Sequence, residues 1–321
     1  MKTFIRAGFI IGLLLCALLQ ARPEWAQEHP THSSMIRFGL SSAVMESDIN
    51  PNDALAAAKI WAELLGKKTG LYANAEARIY RDAPSLSAAV KSGDADIIAL
   101  GTDEYLEVEK SLPAIPAFTY VVSGQIETQY LILVRNDSGI NTLADLRNKR
   151  ITMLKGGRSS MMPLWLDVLL YDNKLPDKES FFRELKQVPK INQAILPIFF
   201  KQMDAGVAMR SAFDTAVTLN PQIGKQLKVL AASPKLVMLV ACIRSSMPAA
   251  ERQQYIKAIL RLHELPDGLQ GFQLFKMDRL IPWDPSYANS VRELLRKRKL
   301  AQSAGVLQAR SDYQAESGIQ R

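Results

Sequence analysis

Arg150-Ile-Thr-Met-Leu-Lys-Gly-Gly-Arg-Ser-Ser-Met-Met-Pro163 joins three signals in one short stretch. The apolar run Arg150–Leu154 reads as a strand, and Gly156 and Gly157 let the backbone turn closely. The residues after Pro163 then place Met161, Leu164, Trp165, Val168 and Leu169 at helical spacing. Pro163 falls in the first helical turn, where its missing N–H is harmless. A strand, a glycine turn and a helix start form the repeating joint of an α/β fold. The helix start also offers unpaired N–H groups and a positive dipole end to an anion. Ser159 and Ser160 fit two roles there, as hydroxyl donors to a ligand or as ordinary helix caps.

The same alternation runs outward in both directions. Strands are predicted at Ile36–Ser41, Glu76–Tyr80, Asp96–Leu100, Gln129–Arg135, Phe182–Val188, Gly206–Met209, Leu227–Ala231 and Leu236–Ile243. Helical stripes lie between them: Leu55, Ala58, Trp61, Ala62 and Leu65; Ile191, Ile195, Ile198 and Phe199; and Ile256, Ile259 and Leu260. These stripes read as core, with no ligand role for their aromatics. The pattern predicts α/β layers with mostly parallel strands.

Two long apolar strands, 129–135 and 236–243, break the rhythm and mark where the chain changes bodies. The first is followed by the capping-box pattern Thr142-Leu-Ala-Asp145, which predicts a new helix. The expected division is a first lobe over 35–126 plus 245–300 and a second over 136–235. Hinge strands at 127–135 and 236–244 join them, and a tail covers 301–321.

Lys2 and Arg6 precede an apolar run, Ala7–Leu19, of about 13 residues. This is too short to span a bilayer, which needs about 20, and predicts a secretory signal over residues 1–26. Cys16 raises lipidation, but Leu15 stands where that signal wants Gly or Ala. Without the signal, Cys242 is the sole cysteine, so no internal disulfide is available and the core alone must stabilise the exported chain. The exported chain carries 37 Lys and Arg against 31 Asp and Glu, a modest positive balance that suits an anionic ligand without requiring one. Many positives sit in Arg292–Lys299, which reads as a solvated helix face. No basic stripe interleaves with aromatics, and with the export signal this argues against nucleic acid.

Catalytic patterns are absent from the sequence. His29 and His32 follow the signal, His263 ends a helix, and no Gly-x-Ser-x-Gly, His-Glu-x-x-His or Walker pattern occurs. No enzyme activity, cofactor or metal is expected.

Three patterns in order carry a resemblance: Gly93-Asp-Ala-Asp-Ile-Ile-Ala-Leu-Gly101 followed by Tyr105; Leu143-Ala-Asp-Leu-Arg-Asn-Lys-Arg-Ile151 followed by the Gly-Gly-Arg-Ser-Ser loop; and Met203-Asp-Ala-Gly-Val-Ala208 with Phe213 beyond. With the export signal and the element order, the chain resembles the phosphate, phosphite and phosphonate solute-binding proteins of ABC transporters, the PhnD-like branch of the type II periplasmic binding proteins. The resemblance implies two Rossmann-like lobes joined by two hinge strands, a periplasmic location and a small anionic ligand held between the lobes. It implies a monomer that delivers its ligand to an ABC permease or presents it to a membrane sensor kinase.

Carried over residue by residue, it places Tyr105 at the cleft, with Gly101 and Thr102 in the turn. Ser159 and Ser160 stand on the oxyanion, and Asp204 near a ligand amine or bracing the turn before Gly206. Arg158 stands where relatives have a hydroxyl, and Val188-Pro-Lys190 where they often have Gly-Ser-His. Arg158 and Arg210 fit either a bidentate grip on an oxyanion or a surface ion pair. Ser41 and Ser42 end the first strand, where open α/β sheets place ligands.

Overall fold

The apolar runs assemble into two mixed sheets and one short ribbon in a computed structural model that describes residues 35–45, 50–72 and 74–305. The predicted signal and residues 306–321 of the predicted tail lie outside the described residues. Among those described, the first sheet contains β1 (Met35–Ser41), β2 (Asn74–Tyr80), β3 (Ile97–Gly101), β4 (Ala114–Val121), β12 (Leu239–Arg244) and β13 (Arg279–Pro282). The second contains β6 (Tyr130–Arg135), β7 (Arg150–Leu154), β8 (Glu184–Val188), β9 (Ala205–Met209) and β10 (Leu227–Ala232). The ribbon pairs β5 (Glu127–Thr128) with β11 (Leu236–Val237).

Helices α1 (Pro51–Thr69), α2 (Ala83–Ser92) and α3 (Thr102–Val108) connect strands of the first sheet. The second sheet is connected through α4 (Met162–Asp172), α5 (Lys178–Phe181), α6 (Ile191–Phe199), α7 (Arg210–Leu219) and α8 (Pro221–Gln226). The chain then returns through α9 (Ala249–Leu260) and α10 (Pro266–Leu274), and α11 (Asn289–Ser303) follows β13.

The two sheets repeat one design. In the first, β2, β1 and β3 are parallel, and β12 joins antiparallel beside β3. In the second, β8, β7 and β9 are parallel, and β6 joins antiparallel beside β9. Each sheet thus accepts one strand that has just left the ribbon. The long strands themselves do not cross between the bodies: 130–135 lies wholly in the second sheet and 239–244 wholly in the first. The crossing is the ribbon of 127–128 with 236–237.

Side-chain alternation explains why these strands are apolar nearly throughout. Ile97 and Ile243 pack on one face of the first sheet, with Phe118 and Phe272, while Ile98, Leu100, Val240 and Cys242 pack on the other, with Leu86. In β6, Leu131, Ile132, Leu133 and Val134 are all fully buried. Burying each such side chain contributes roughly 1.5–3 kcal/mol. Burial also pushes the Cys242 thiol well above its ordinary range, so the group is inert packing.

Gly206 shows why the Met203-Asp-Ala-Gly-Val pattern needs its glycine. A Cβ there would lie 2.5 Å from the Ala194 carbonyl of α6 and 2.7 Å from Thr152 Oγ1. The helix therefore packs directly on the sheet, and Thr152 donates to that same carbonyl at 2.9 Å.

The structure departs from the local expectations at the Thr142 helix and at two further strands. Half of the box at Thr142 forms, with Asp145 accepting from the N–H groups of Asn141 and Thr142, but the helix stops after the single turn Ala144–Leu146. Arg147 is already extended, and Asn148 takes a positive φ of 56° and donates to the Phe181 carbonyl. Strands β4 and β13 went unpredicted because Pro116 and Pro282 lie inside them, and proline demotes a strand pattern. Pro116 is tolerated where β12 slips register between Ala241 and Cys242.

Helix α11, assigned by sequence to the first lobe, packs on both bodies. Val291 and Leu294 join the core of the second sheet. Arg292 grips Glu109, at the C-cap of α3, through two bonds of 2.9 and 3.1 Å, and Lys297 meets Asp172 of α4 at 2.6 Å. With Arg296 on Glu293, this basic run is largely paired and is not an open positive face.

Candidate functional site between the two sheets

Parallel strands of both sheets end in loops that approach one another. The 3-10 turn Ser42–Val44 after β1 lies against the 3-10 turn Gly157–Ser159 after β7. Gly156 and Gly157 take φ values of 85° and 49°, so the turn requires both glycines. The serine N–H groups are spent on the turn itself: Ser159 donates to Gly156 O at 2.9 Å and Ser160 to Gly157 O at 3.0 Å. Helix α4 begins only at Met162. The expected anion cradle of free serine N–H groups is therefore absent.

The turn is fixed from below by Tyr130, the first residue of β6. Its Oη donates to the Arg158 carbonyl at 2.7 Å and lies 3.3 Å from Met238 Sδ. The Met238 carbonyl accepts from the Thr102 N–H at 3.1 Å. A chain of contacts thus runs from the start of α3, through Met238 between the crossing ribbon and β12, to the Arg158 turn.

Two cavities meet at this turn, and Tyr120, Val122, Arg158 and Met238 line both. The larger, about 780 Å³, runs between the crossing ribbon and the second lobe, past Gln129, Asn192, Arg210 and Ser211. Its charged lining consists of Arg158, Arg210, Lys235 and Lys276 against Glu127 and Asp214, a positive balance. The smaller, about 130 Å³, is walled by Phe38, Trp61, Phe118, Phe275 and Met277, and Arg158 is the charged side chain in its described lining.

The predicted site residues divide. Arg158 lines both cavities, Ser160 the smaller and Arg210 the larger, where Arg210 donates to Gln129 Oε1 at 2.6 Å. Ser159 is 1% exposed, and its hydroxyl has no partner among the described residues; the same holds for the Thr102 hydroxyl. Neither lines either of these two cavities.

Ser41, Tyr105 and Asp204 are corrected. Ser41 Oγ donates to Glu104 Oε1 at 2.7 Å and caps the Ala43 N–H, so its hydroxyl serves the first lobe. Tyr105 turns away from both cavities, packs edge-on against Trp283 and donates to Glu109 at 3.4 Å. Burial raises its phenol to about 12. Asp204 sits at the opposite end of the sheet, accepting from the Arg150 N–H at 2.8 Å at the start of β7. Asp96 does the same for Arg37 in the first sheet, so in each sheet the aspartate just before one strand, β3 or β9, braces the start of its parallel neighbour. The ligand-amine role for Asp204 has no geometric basis.

Sequence reasoning missed the cavity walls, because large apolar residues at core spacing look the same whether they fill space or border it. It also missed Glu104. The carboxylate accepts from Gly101 N–H and Ser41 Oγ, and burial raises it to about 7. An acidic residue in the first helical turn after a glycine was the available signal.

Two α/β bodies, each ending its parallel strands on a shared cleft, define the type II fold of bilobal periplasmic binding proteins. Residues 44–287 match the family described as ABC transporter, phosphonate, periplasmic substrate-binding protein, and the chain belongs to it. That family comprises periplasmic substrate-binding components of transporters and not enzymes. Among solved structures, XAC2383 from Xanthomonas citri bound to ATP is similar with a TM-score of 0.62, at 17% identity over 84% of this chain and 99% of that one. A binding protein component of an ABC phosphonate transporter from Pseudomonas aeruginosa gives 0.59, at 15% identity over 88% and 92%. PhnD1 from Prochlorococcus marinus in complex with methylphosphonate gives 0.57, at 14% identity over 83% and 98%. No curated protein sequence gives a significant match.

Proposed function

We propose that this protein captures a tetrahedral oxyanion, a phosphonate, phosphite or phosphate, between its two lobes in the periplasm and delivers it to the permease of an ABC transporter. The observation that carries the reading is the position of Arg158. Arg158 belongs to the turn where the two cavities meet, and the planar fork of donors that an arginine carries suits an oxyanion. The positive balance of the larger cavity favours the same charge. Ligand held on the second lobe gains contacts from Val44 and Met45 of the first only when the lobes are together, so binding shifts the population toward the closed form.

A thermal-shift panel of phosphate, phosphite, methylphosphonate and 2-aminoethylphosphonate tests this. A ligand present at about 100 times its Kd should stabilise the protein by about 2.7 kcal/mol, a melting-temperature rise of several degrees. A panel without any such rise overturns the reading.

A further inference from the structure

Resting on the oxyanion-capture reading, we infer that the physiological ligand carries an apolar substituent, an alkyl or aryl group bonded to the oxyanion, which fills the 130 Å³ cavity while the charged end stays at Arg158. The chemistry of the walls sets this class. Phe38, Phe118, Met238 and Phe275 present carbon and sulfur, and Trp61 turns its single polar atom away to donate to the Gly268 carbonyl at 3.0 Å. That tryptophan is held in place: its ring packs 4.6 Å from Phe272 and 5.3 Å from Phe275, and a Cβ on Gly271 would strike it at 2.1 Å.

Water makes a poor occupant, because a buried water needs two to four polar partners. A hydroxyl, amine or sugar would find few partners there, because Tyr120, Arg158 and Ser160 are the polar residues beside Trp61 in an otherwise apolar described lining. A bare phosphate would leave the apolar cavity unfilled. An apolar cavity of about 150 Å³ elsewhere stays dry and binds benzene, so this one suits a ring or a chain of about four to six carbons. The thioethers of Met45, Met238 and Met277 can adapt their shape around such a group.

The experiment is titration calorimetry of the exported chain with methyl-, butyl-, hexyl- and phenylphosphonate and with the matching sulfonates. Affinity is expected to rise about fourfold per methylene, roughly 0.8 kcal/mol each, so that butyl- exceeds methylphosphonate by about 60-fold. Equal affinities along the series overturn this inference and leave oxyanion capture intact. Failure of every phosphonate and sulfonate to bind overturns this inference, and oxyanion capture falls with it only if phosphate and phosphite also fail to bind. The sulfonate arm reports whether the site requires phosphorus or any tetrahedral oxyanion. In Ala99→Leu, which projects a larger side chain from the cavity wall, the butyl-to-methyl ratio is expected to fall to near one. An unchanged ratio in that variant, with its folding verified by thermal melt, shows that the substituent goes elsewhere and overturns the assignment.

Discussion

Arg158→Ala is expected to weaken oxyanion binding by about 2 kcal/mol, roughly thirtyfold in Kd, because hydrogen bonds to charged groups contribute about 1.5–3 kcal/mol each. Calorimetry on the tightest ligand of the panel measures it. The variant keeps its fold for a specific reason: Tyr130 holds the turn through the Arg158 carbonyl, and substitution leaves that backbone group in place. Both glycines that shape the turn are also untouched. Arg158→Lys should fall between the two, since an ammonium keeps the charge and loses the two-pronged geometry. Wild-type affinity in Arg158→Ala would remove the one observation on which oxyanion capture stands.

Glu104→Gln should flatten the pH dependence of stability between about pH 5 and pH 7.5. The Glu104 carboxyl, raised by burial to about 7 from its usual 4.5, binds its proton more tightly in the folded protein than in the unfolded chain. Its contribution to stability is therefore complete at low pH and is lost as pH rises through about 7. The swing is on the order of 3 kcal/mol over that window. Glutamine is neutral throughout and can still accept from the Gly101 N–H, while its amide can donate to Ser41 Oγ. Urea denaturation at pH 5 and pH 8 measures the difference. If wild type loses no stability over this range beyond what the variant loses, the carboxyl is already ionised at pH 5.

The sequence made the joints of this fold legible and its spaces illegible. Lys155–Pro163 could be read because glycine, proline and helical periodicity each act locally, and all three agree there. Strand β4 hid behind Pro116, whose toleration depends on a register slip in its neighbour β12 that no local pattern announces. Asp204 and Tyr105 carried plausible roles by motif, yet their side chains are settled by partners outside the motif: the Arg150 backbone for one, Trp283 and Glu109 for the other. The serine turn was recognised as a strand-to-helix junction. What it does with its N–H groups depended on two positive φ angles that a Gly-Gly pair permits but does not dictate. The apolar cavity had no signature at all, since Phe38, Trp61 and Phe118 obey the same periodicity that fills a core.

Helix α11 gives the molecule a third mechanical link. The ribbon of β5 and β11 would by itself leave the two bodies free to gape widely about a narrow pivot. A fifteen-residue helix, salt-bridged to Glu109 beside one body and to Asp172 on the other, adds contacts that lie outside the ribbon and that parting of the bodies would strain. How far they stretch is bounded by the lysine and arginine stems that hold the two ion pairs. Shortening either stem would retune how readily the bodies part without altering any atom that lines the cavities.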